Sequence, residues 1–239
     1  MQKVITVSGK PCAGKGTRLR NFMQTRGKEY LVLSCGEMLR NEIDQQTELG
    51  KIAKPYVQEG KLVPDYLVIN MLLEKIREAD KTVILDAFPR TLGQAEALLE
   101  VGIHIDRVVN VHAPDSEIIK RAAQRIVCVE CGETYTTTCA YKPPKVPGFC
   151  DKCGGELHRR HDDNKIEERL QVYNQETLPV LGFLAKHDIP IYTVCTMGYA
   201  NEDIQFAEAM TIEWLNRTGG TAMAGLLLIY ILGKSCWLW

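Results

Sequence analysis

The chain has 239 residues, 45% of them hydrophobic and 25% charged, the make-up of an ordinary globular protein long enough for a substantial core. Its formal net charge of −1 supplies no basic field for nucleic acid or an anionic membrane, so any anion site has to be assembled locally. No basic stretch followed by an apolar run opens the sequence, and a reducing, cytoplasmic setting is expected.

Short β-branched runs alternate with helical spacing. Residues 4–7, 30–33, 82–85, 107–111 and 189–194 read as strands, several apolar throughout, as strands buried on both faces of a parallel sheet are. Residues 15–23, 66–78, 94–101, 115–125, 165–187 and 201–215 have helical spacing, with Asn201 placed to cap the last. The alternation predicts an α/β fold around a five-stranded parallel sheet flanked by helices. Two stretches interrupt it: residues 34–63, polar and helical, and residues 126–161, which carry paired cysteines and KPPKVPG.

The first strand runs into GKPCAGKGT, residues 9–17, and then into a helix. Glycines let backbone N–H groups close on phosphate oxygens, and the helix adds its positive N-terminal end. In this pattern Gly9 begins the loop, Gly14 makes the close approach, Lys15 reaches the terminal phosphates and Thr17 places its hydroxyl on Mg2+. Cys12 brings a side chain into the tight part of the loop. It reads as a small tolerated residue rather than a reactive thiol, since reactivity needs exposure and neighbouring positive charge together. Asp86 ends an apolar strand, where a carboxylate holds Mg2+ directly or through water.

Of nine cysteines, Cys128, Cys131, Cys150 and Cys153 form two C-x-x-C pairs with 18 residues between them. Such pairs supply four thiolates in a tetrahedron; with no open position left, the expected Zn2+ is structural and folds a segment too poor in apolar mass to fold alone. Cys12, Cys35, Cys139, Cys195 and Cys236 show no pairing logic in their spacing. The last stretch, TAMAGLLLIYILGKSCWLW, is out of character with the rest. Its apolar run at 222–233 falls short of the ~20 residues of a spanning helix. A tail anchor, an added or frame-shifted segment and an oligomer contact all remain open for it.

Taken in order, GKPCAGKGT, LSCGEMLRNEI, GKLVPDYLV, LDAFPRTLGQAE, the four cysteines, RRHDDN and RLQVYNQET resemble the adenylate kinase family over residues 1–216, in its long, zinc-lid form typical of bacteria. The resemblance implies a P-loop NTPase core (1–33, 64–125 and 162–217), a domain at 34–63 that binds the nucleoside monophosphate (NMP), and a zinc-binding lid at 126–161. Residues 218–239 are left as an atypical apolar tail. It implies Mg2+-dependent, reversible phosphoryl transfer from ATP to AMP, giving two ADP. A monomer that engages no nucleic acid is expected, with a membrane disfavoured but the apolar tail ambiguous. A UMP- or CMP-type kinase is the nearest alternative; a zinc-ribbon nucleic-acid module with a P-loop switch is more remote.

By the same resemblance, ATP meets Cys12, Ala13, Gly14, Lys15, Gly16 and Thr17 of the loop, Arg121 and Arg125 ahead of the lid, Thr134 and Tyr135 within it, and Ala200. AMP meets Cys35, Arg40, Lys61, Leu62, Val63, Ala87, Phe88, Pro89, Arg90 and Gln94, with Arg160 and Arg169 closing on the transferring group. The catalytic set is Lys15, Arg90, Arg125, Arg160 and Arg169, and Thr17 and Asp86 form the magnesium set. Arginine suits the work because its planar fork pairs with phosphate and keeps its proton. No general base is needed, since the attacking group is already a phosphate oxygen. Asp162 and Asp163 resemble an acidic pair that orients the arginines. Three departures stand out: Cys35 in place of a threonine, Ala87 in place of a glycine, and a DDNKIEERL segment shorter than the family pattern. The last requires the following helix to start early if Arg169 is to reach the site.

Overall fold

The computed structural model describes residues 3–137, 142–197 and 201–211. Five parallel strands form the central sheet: β1 (Val4–Ser8), β2 (Tyr30–Ser34), β3 (Thr82–Asp86), β4 (Ile105–His112) and β8 (Ile191–Cys195), in the order β2-β3-β1-β4-β8. Helices α1 (Lys15–Arg26), α4 (Asp65–Glu78), α5 (Leu92–Glu100), α6 (Asp115–Gln124), α7 (Ile166–Val172), α8 (Leu178–Lys186) and α9 (Glu202–Thr211) cover it. The expected five-stranded parallel sheet is present. The last strand begins at Ile191 rather than 189 because Pro190 has no N–H for the ladder; its carbonyl still accepts from Val108 at 2.9 Å.

The two-residue period of the strands sorts their side chains into two apolar layers. Val4, Val83, Leu85 and Val108 pack on one face with Leu72 and Leu98. Ile5, Val7, Ile84 and Val109 pack on the other with Leu19, Phe22, Ile118 and Phe206. Because both faces are covered, the carboxyl ends of the strands are the open edge, and the loops leaving β1 and β3 meet there. That is where parallel α/β sheets place their ligands.

Between β2 and α4 the chain forms α2 (Cys35–Asp44) and α3 (Glu48–Gln58). Thr47 caps α3, its Oγ accepting from the Gly50 N–H at 3.0 Å. Gly50 lies so close to α2 that a Cβ there would sit 1.9 Å from the Glu42 carbonyl oxygen. After α6, β5 (Arg125–Cys128), β6 (Thr134–Thr136) and β7 (Leu157–Arg159) form a small antiparallel sheet ordered β6-β5-β7.

The long helix expected over 165–187 is built in four pieces. A 3-10 turn, His161–Lys165, leads into α7, a π turn follows at Tyr173–Thr177, and α8 completes it. Pro179 in the first turn of α8 lacks an N–H, and just ahead of it the helix widens so that the Leu178 N–H reaches the Tyr173 carbonyl. The 3-10 turn runs through the start of the DDNKIEERL segment, and a 3-10 turn rises about 2.0 Å per residue, against about 1.5 Å in an α-helix. Arg169 follows in α7.

No helix among the described residues is long and apolar enough to cross a membrane. The segments at 198–200 and 212–239, with the expected ATP contact Ala200 and the apolar tail, lie outside the described residues, as does Cys139.

Replacing Gly50 by alanine should lower stability by about 2 kcal/mol, because the added methyl group meets rigid backbone rather than a side chain that can swing away. A urea titration should show an earlier midpoint with an unchanged slope. An unshifted midpoint would contradict the close α2–α3 packing.

Candidate active site

The loop after β1 is held by a backbone contact. Gly9 has φ +134°, and a Cβ on it would lie 2.1 Å from the Val111 carbonyl oxygen of β4, so no other residue fits without moving the sheet. Gly14, at φ +100°, turns the chain into α1, whose first turn carries no acidic residue to compete for an anion. Lys15 folds back over the loop, its Nζ donating to the carbonyls of Gly9 (2.5 Å) and Lys10 (2.7 Å). Burial pulls its pKa down to about 8, with Asp86 pushing the other way.

Cys12 does adopt a positive φ, 58°, the conformation in which a side chain is strained. Its thiol is half-buried 3.8 Å from Asp163, and burial raises its pKa, which agrees with an inert rather than a reactive cysteine. Ala13 is buried, and Gly16 and Thr17 lie exposed in the first turn of α1.

Arg121 sits behind the loop. Its Nη1 donates to the Ala13 carbonyl and Thr196 Oγ, its Nη2 to the Thr196 carbonyl, and its Nε to Glu117. This guanidinium braces the loop against the end of β8.

At the end of β3, Asp86 accepts from Ser34 Oγ through Oδ2 at 2.9 Å, while its Oδ1 is buried with no hydrogen-bond partner among the described residues. A buried carboxylate oxygen left open beside a phosphate loop fits a hard cation. Ala87 follows at φ 57°, a glycine-like conformation that the methyl group makes costly. Arg90 folds back, Nε donating to the Ala87 carbonyl at 2.7 Å. Its backbone N–H donates to Gln94 Oε1 at 2.7 Å, and Gln94 Nε2 donates to Asp65 at 2.8 Å.

The remaining arginines are held by two neighbouring aspartates. Arg160 makes a fork on Asp162 (2.8 and 2.9 Å), and Arg169 Nη1 reaches the same carboxylate at 3.0 Å. Arg125 makes a second fork, on Asp163, with its Nε at 2.7 Å. Burial alone would raise the Asp162 carboxyl, but Arg169 and Arg160 hold it down at about 2. Burial, and then the nearby Arg160, lower Arg40 to about 10.

Every residue expected on the acceptor side lines one cleft: Cys35, Arg40, Lys61, Leu62, Val63, Ala87, Phe88, Pro89, Arg90, Gln94, Arg160 and Arg169. Lys15 lines it too, and Asp162, Tyr173 and Thr177 complete the wall. Sequence reading assigned no role to Asp65 or Tyr173. The signal for Asp65 was present, an acidic residue opening a helix directly after the GKLVP segment.

In the small sheet, Sγ of Cys128 and Cys153 are 3.4 Å apart and those of Cys131 and Cys150 3.6 Å, all four lying within 4.8 Å of one another. A tetrahedron of thiolates at about 2.3 Å from zinc has edges of about 3.8 Å, so the four sulfurs already stand close to that spacing. Among the described residues of this unit the buried apolar cluster is Cys128, Tyr135 and Cys150, a small core of the kind that a structural metal supports. Tyr135 belongs to this centre: its hydroxyl lies 3.4 Å from Cys150 Sγ and accepts from the Asp151 N–H at 2.9 Å. Thr134 and Tyr135 both lie in β6, paired with Val127 and Ile126 of β5.

The family model of adenylate kinase matches residues 7–189. The adenylate kinase of Carboxydothermus hydrogenoformans is 43% identical over 190 residues, covering 76% of this chain and 87% of that protein. Its counterpart in Archaeoglobus fulgidus is 44% identical over 189 residues, 76% of this chain and 85% of that one. The adenylate kinase of Caldicellulosiruptor saccharolyticus is 36% identical over 217 residues, 87% and 99% of the two chains. With a phosphate loop at the carboxyl end of β1, arginines lining one cleft and a four-cysteine cluster in the small sheet's unit, the chain belongs to the adenylate kinase family.

Proposed function

We propose that this chain carries out the reaction of its family, the reversible transfer of the terminal phosphoryl group of ATP to AMP, giving two ADP. The observation that carries this most directly is the shared cleft, where Lys15, Arg40, Arg90, Arg160 and Arg169 face one space. Relatives named adenylate kinase favour AMP over UMP or CMP and remove the basis for a nucleic-acid module. Residues 34–63 would grip the monophosphate and residues 126–161 would close over ATP, in a cytoplasmic monomer.

Phosphoryl transfer needs in-line placement and positive charge on the equatorial oxygens, with little covalent chemistry from the protein. Lys15 exchanges its two carbonyl partners for phosphate oxygens, which restore the full ammonium charge that burial weakens. Arg90 and Arg40 take the acceptor phosphate. Arg160, Arg169 and Arg125 turn from the aspartates to the transferring group, trading one set of forks for another. Mg2+, which adenylate kinases use with ATP, spreads the charge of the terminal phosphates when bound; Asp86 Oδ1 and the Thr17 hydroxyl are the groups that would hold it. Closing the cleft excludes water, which would otherwise take the phosphoryl group. Zn2+ on the four cysteines would be structural, since their thiolates fill its tetrahedron.

Purified protein given ATP, Mg2+ and AMP should form ADP, and ATP loss that ignores AMP would contradict the reading. Arg169→Ala should lower kcat by about 100-fold or more with little change in melting temperature, as for loss of one charge-stabilising donor. Near-normal turnover would remove Arg169 from the catalytic set. Cys150→Ser should release zinc and lower the melting temperature. Elemental analysis that finds no zinc in the unmodified protein would remove the metal from the account.

A further inference from the structure

The side chain of Gln94 is 2% exposed and is held at both ends by groups of fixed polarity. Its Oε1 accepts from the Arg90 backbone N–H, which can only donate. Its Nε2 donates to Asp65 Oδ1, and an ionised carboxylate can only accept. A flipped amide would set donor against donor at Arg90 and acceptor against acceptor at Asp65, two buried mismatches at once. Asp65 is itself fixed. Its other oxygen, Oδ2, accepts from Thr91 Oγ at 2.7 Å, and that hydroxyl caps α5 by accepting from the Gln94 N–H at 3.1 Å. The carboxylate also lies directly over the first turn of α5, where a Cβ on Gly93 would come within 3.0 Å of it.

Building on the acceptor reading above, we infer that Asp65 is a positioning residue that locks the polarity of the Gln94 amide and so makes the cleft select amino-type over oxo-type nucleobases. Once both partners are satisfied, Gln94 offers a ligand one remaining N–H and one remaining lone pair, in a single spatial order. Adenine presents an exocyclic N–H beside a ring nitrogen acceptor, and cytosine presents the same order. Hypoxanthine, guanine and uracil present the reverse, a carbonyl acceptor beside a ring N–H. An amide free to turn over accommodates either edge; an amide that cannot turn accommodates one. The same carboxylate directly follows the Lys61–Pro64 segment, and through Gln94 it also fixes the backbone of Arg90. One group thereby sets the base end and the phosphate end of the acceptor in register.

AMP and IMP test this cleanly, since they differ only at the six-position and the adjacent ring nitrogen. The readout is the ratio of kcat/KM for AMP to that for IMP, with the KM for ATP measured alongside. Asp65→Ser retains a polar group at the start of α4, but a hydroxyl donates as readily as it accepts. It should lower the AMP:IMP ratio at least about tenfold while leaving the KM for ATP unchanged. Asp65→Asn, whose amide can present either its oxygen or its N–H to Gln94, should lower the ratio as well, whereas Asp65→Glu, which keeps an acceptor-only group, should retain more of it than the Ser variant. In a Gln94→Leu background, Asp65→Ser should move the ratio no further, because the effect passes through the amide. Equal loss of AMP and IMP turnover in Asp65→Ser, or an unchanged ratio, would overturn the lock and leave Asp65 a purely structural cap. A Glu variant as indiscriminate as the Ser variant would overturn it too. Should the unmodified protein itself prefer IMP, the lock fails; should it use CMP in place of AMP, the acceptor reading fails while the lock stands or falls on whether Asp65→Ser moves the CMP:UMP ratio.

Discussion

The site depends on holding several cations close together before any phosphate arrives. Lys15, Arg40, Arg90, Arg160 and Arg169 line one cleft, with Arg125 beside it, and two unit charges 4 Å apart interact by about 4 kcal/mol at a protein-like dielectric of about 20. Asp162 and Asp163 make the arrangement tolerable, each occupying an arginine fork. Because Arg169 and Arg160 keep the Asp162 carboxyl near 2, it stays ionised across the range in which such a protein works. Its oxygens stand where phosphoryl oxygens would be welcome, and the arginines lose little order in changing partners.

The sheet makes that clustering possible. The Gly9 backbone presses against Val111, so the phosphate loop is fixed to the middle of the sheet rather than to a surface turn. Arg121 and Thr196 brace it from behind, Thr196 Oγ donating to the Ala13 carbonyl at 2.6 Å. Asp86 arrives on the adjacent strand, in register with Val7. Lys15 and Arg90 therefore take their places from β1 and β3.

Much of this was legible in the chain. Apolar strands and a GKPCAGKGT loop dictate a parallel sheet with a phosphate site at its edge, because backbone N–H groups and a helix terminus need no long-range information. The two C-x-x-C pairs were equally plain. Long-range partners were not. Arg121 as a brace depends on Glu117 and on Thr196, which lies 75 residues away, and Tyr135 as a core residue of the small antiparallel sheet depends on Cys150 and Asp151. The 3-10 turn ahead of α7 and the π turn just before Pro179 are local departures that a helical period conceals. The departures at Cys35 and Ala87 also read differently in place. Burial pushes the Cys35 thiol up to about 12, so it stays neutral. Ala87 retains the turn of the expected glycine at a cost in strain.

A crystal structure with a dinucleotide whose two adenosines are joined by five phosphates tests the central claim most directly. The account predicts Lys15, Arg90, Arg160 and Arg169 within hydrogen-bonding distance of the bridging phosphate oxygens, with Asp162 relieved of at least one of its arginines. Arginines still clasped to Asp162 and turned from the phosphates, in a cleft that binds the dinucleotide nonetheless, would contradict it.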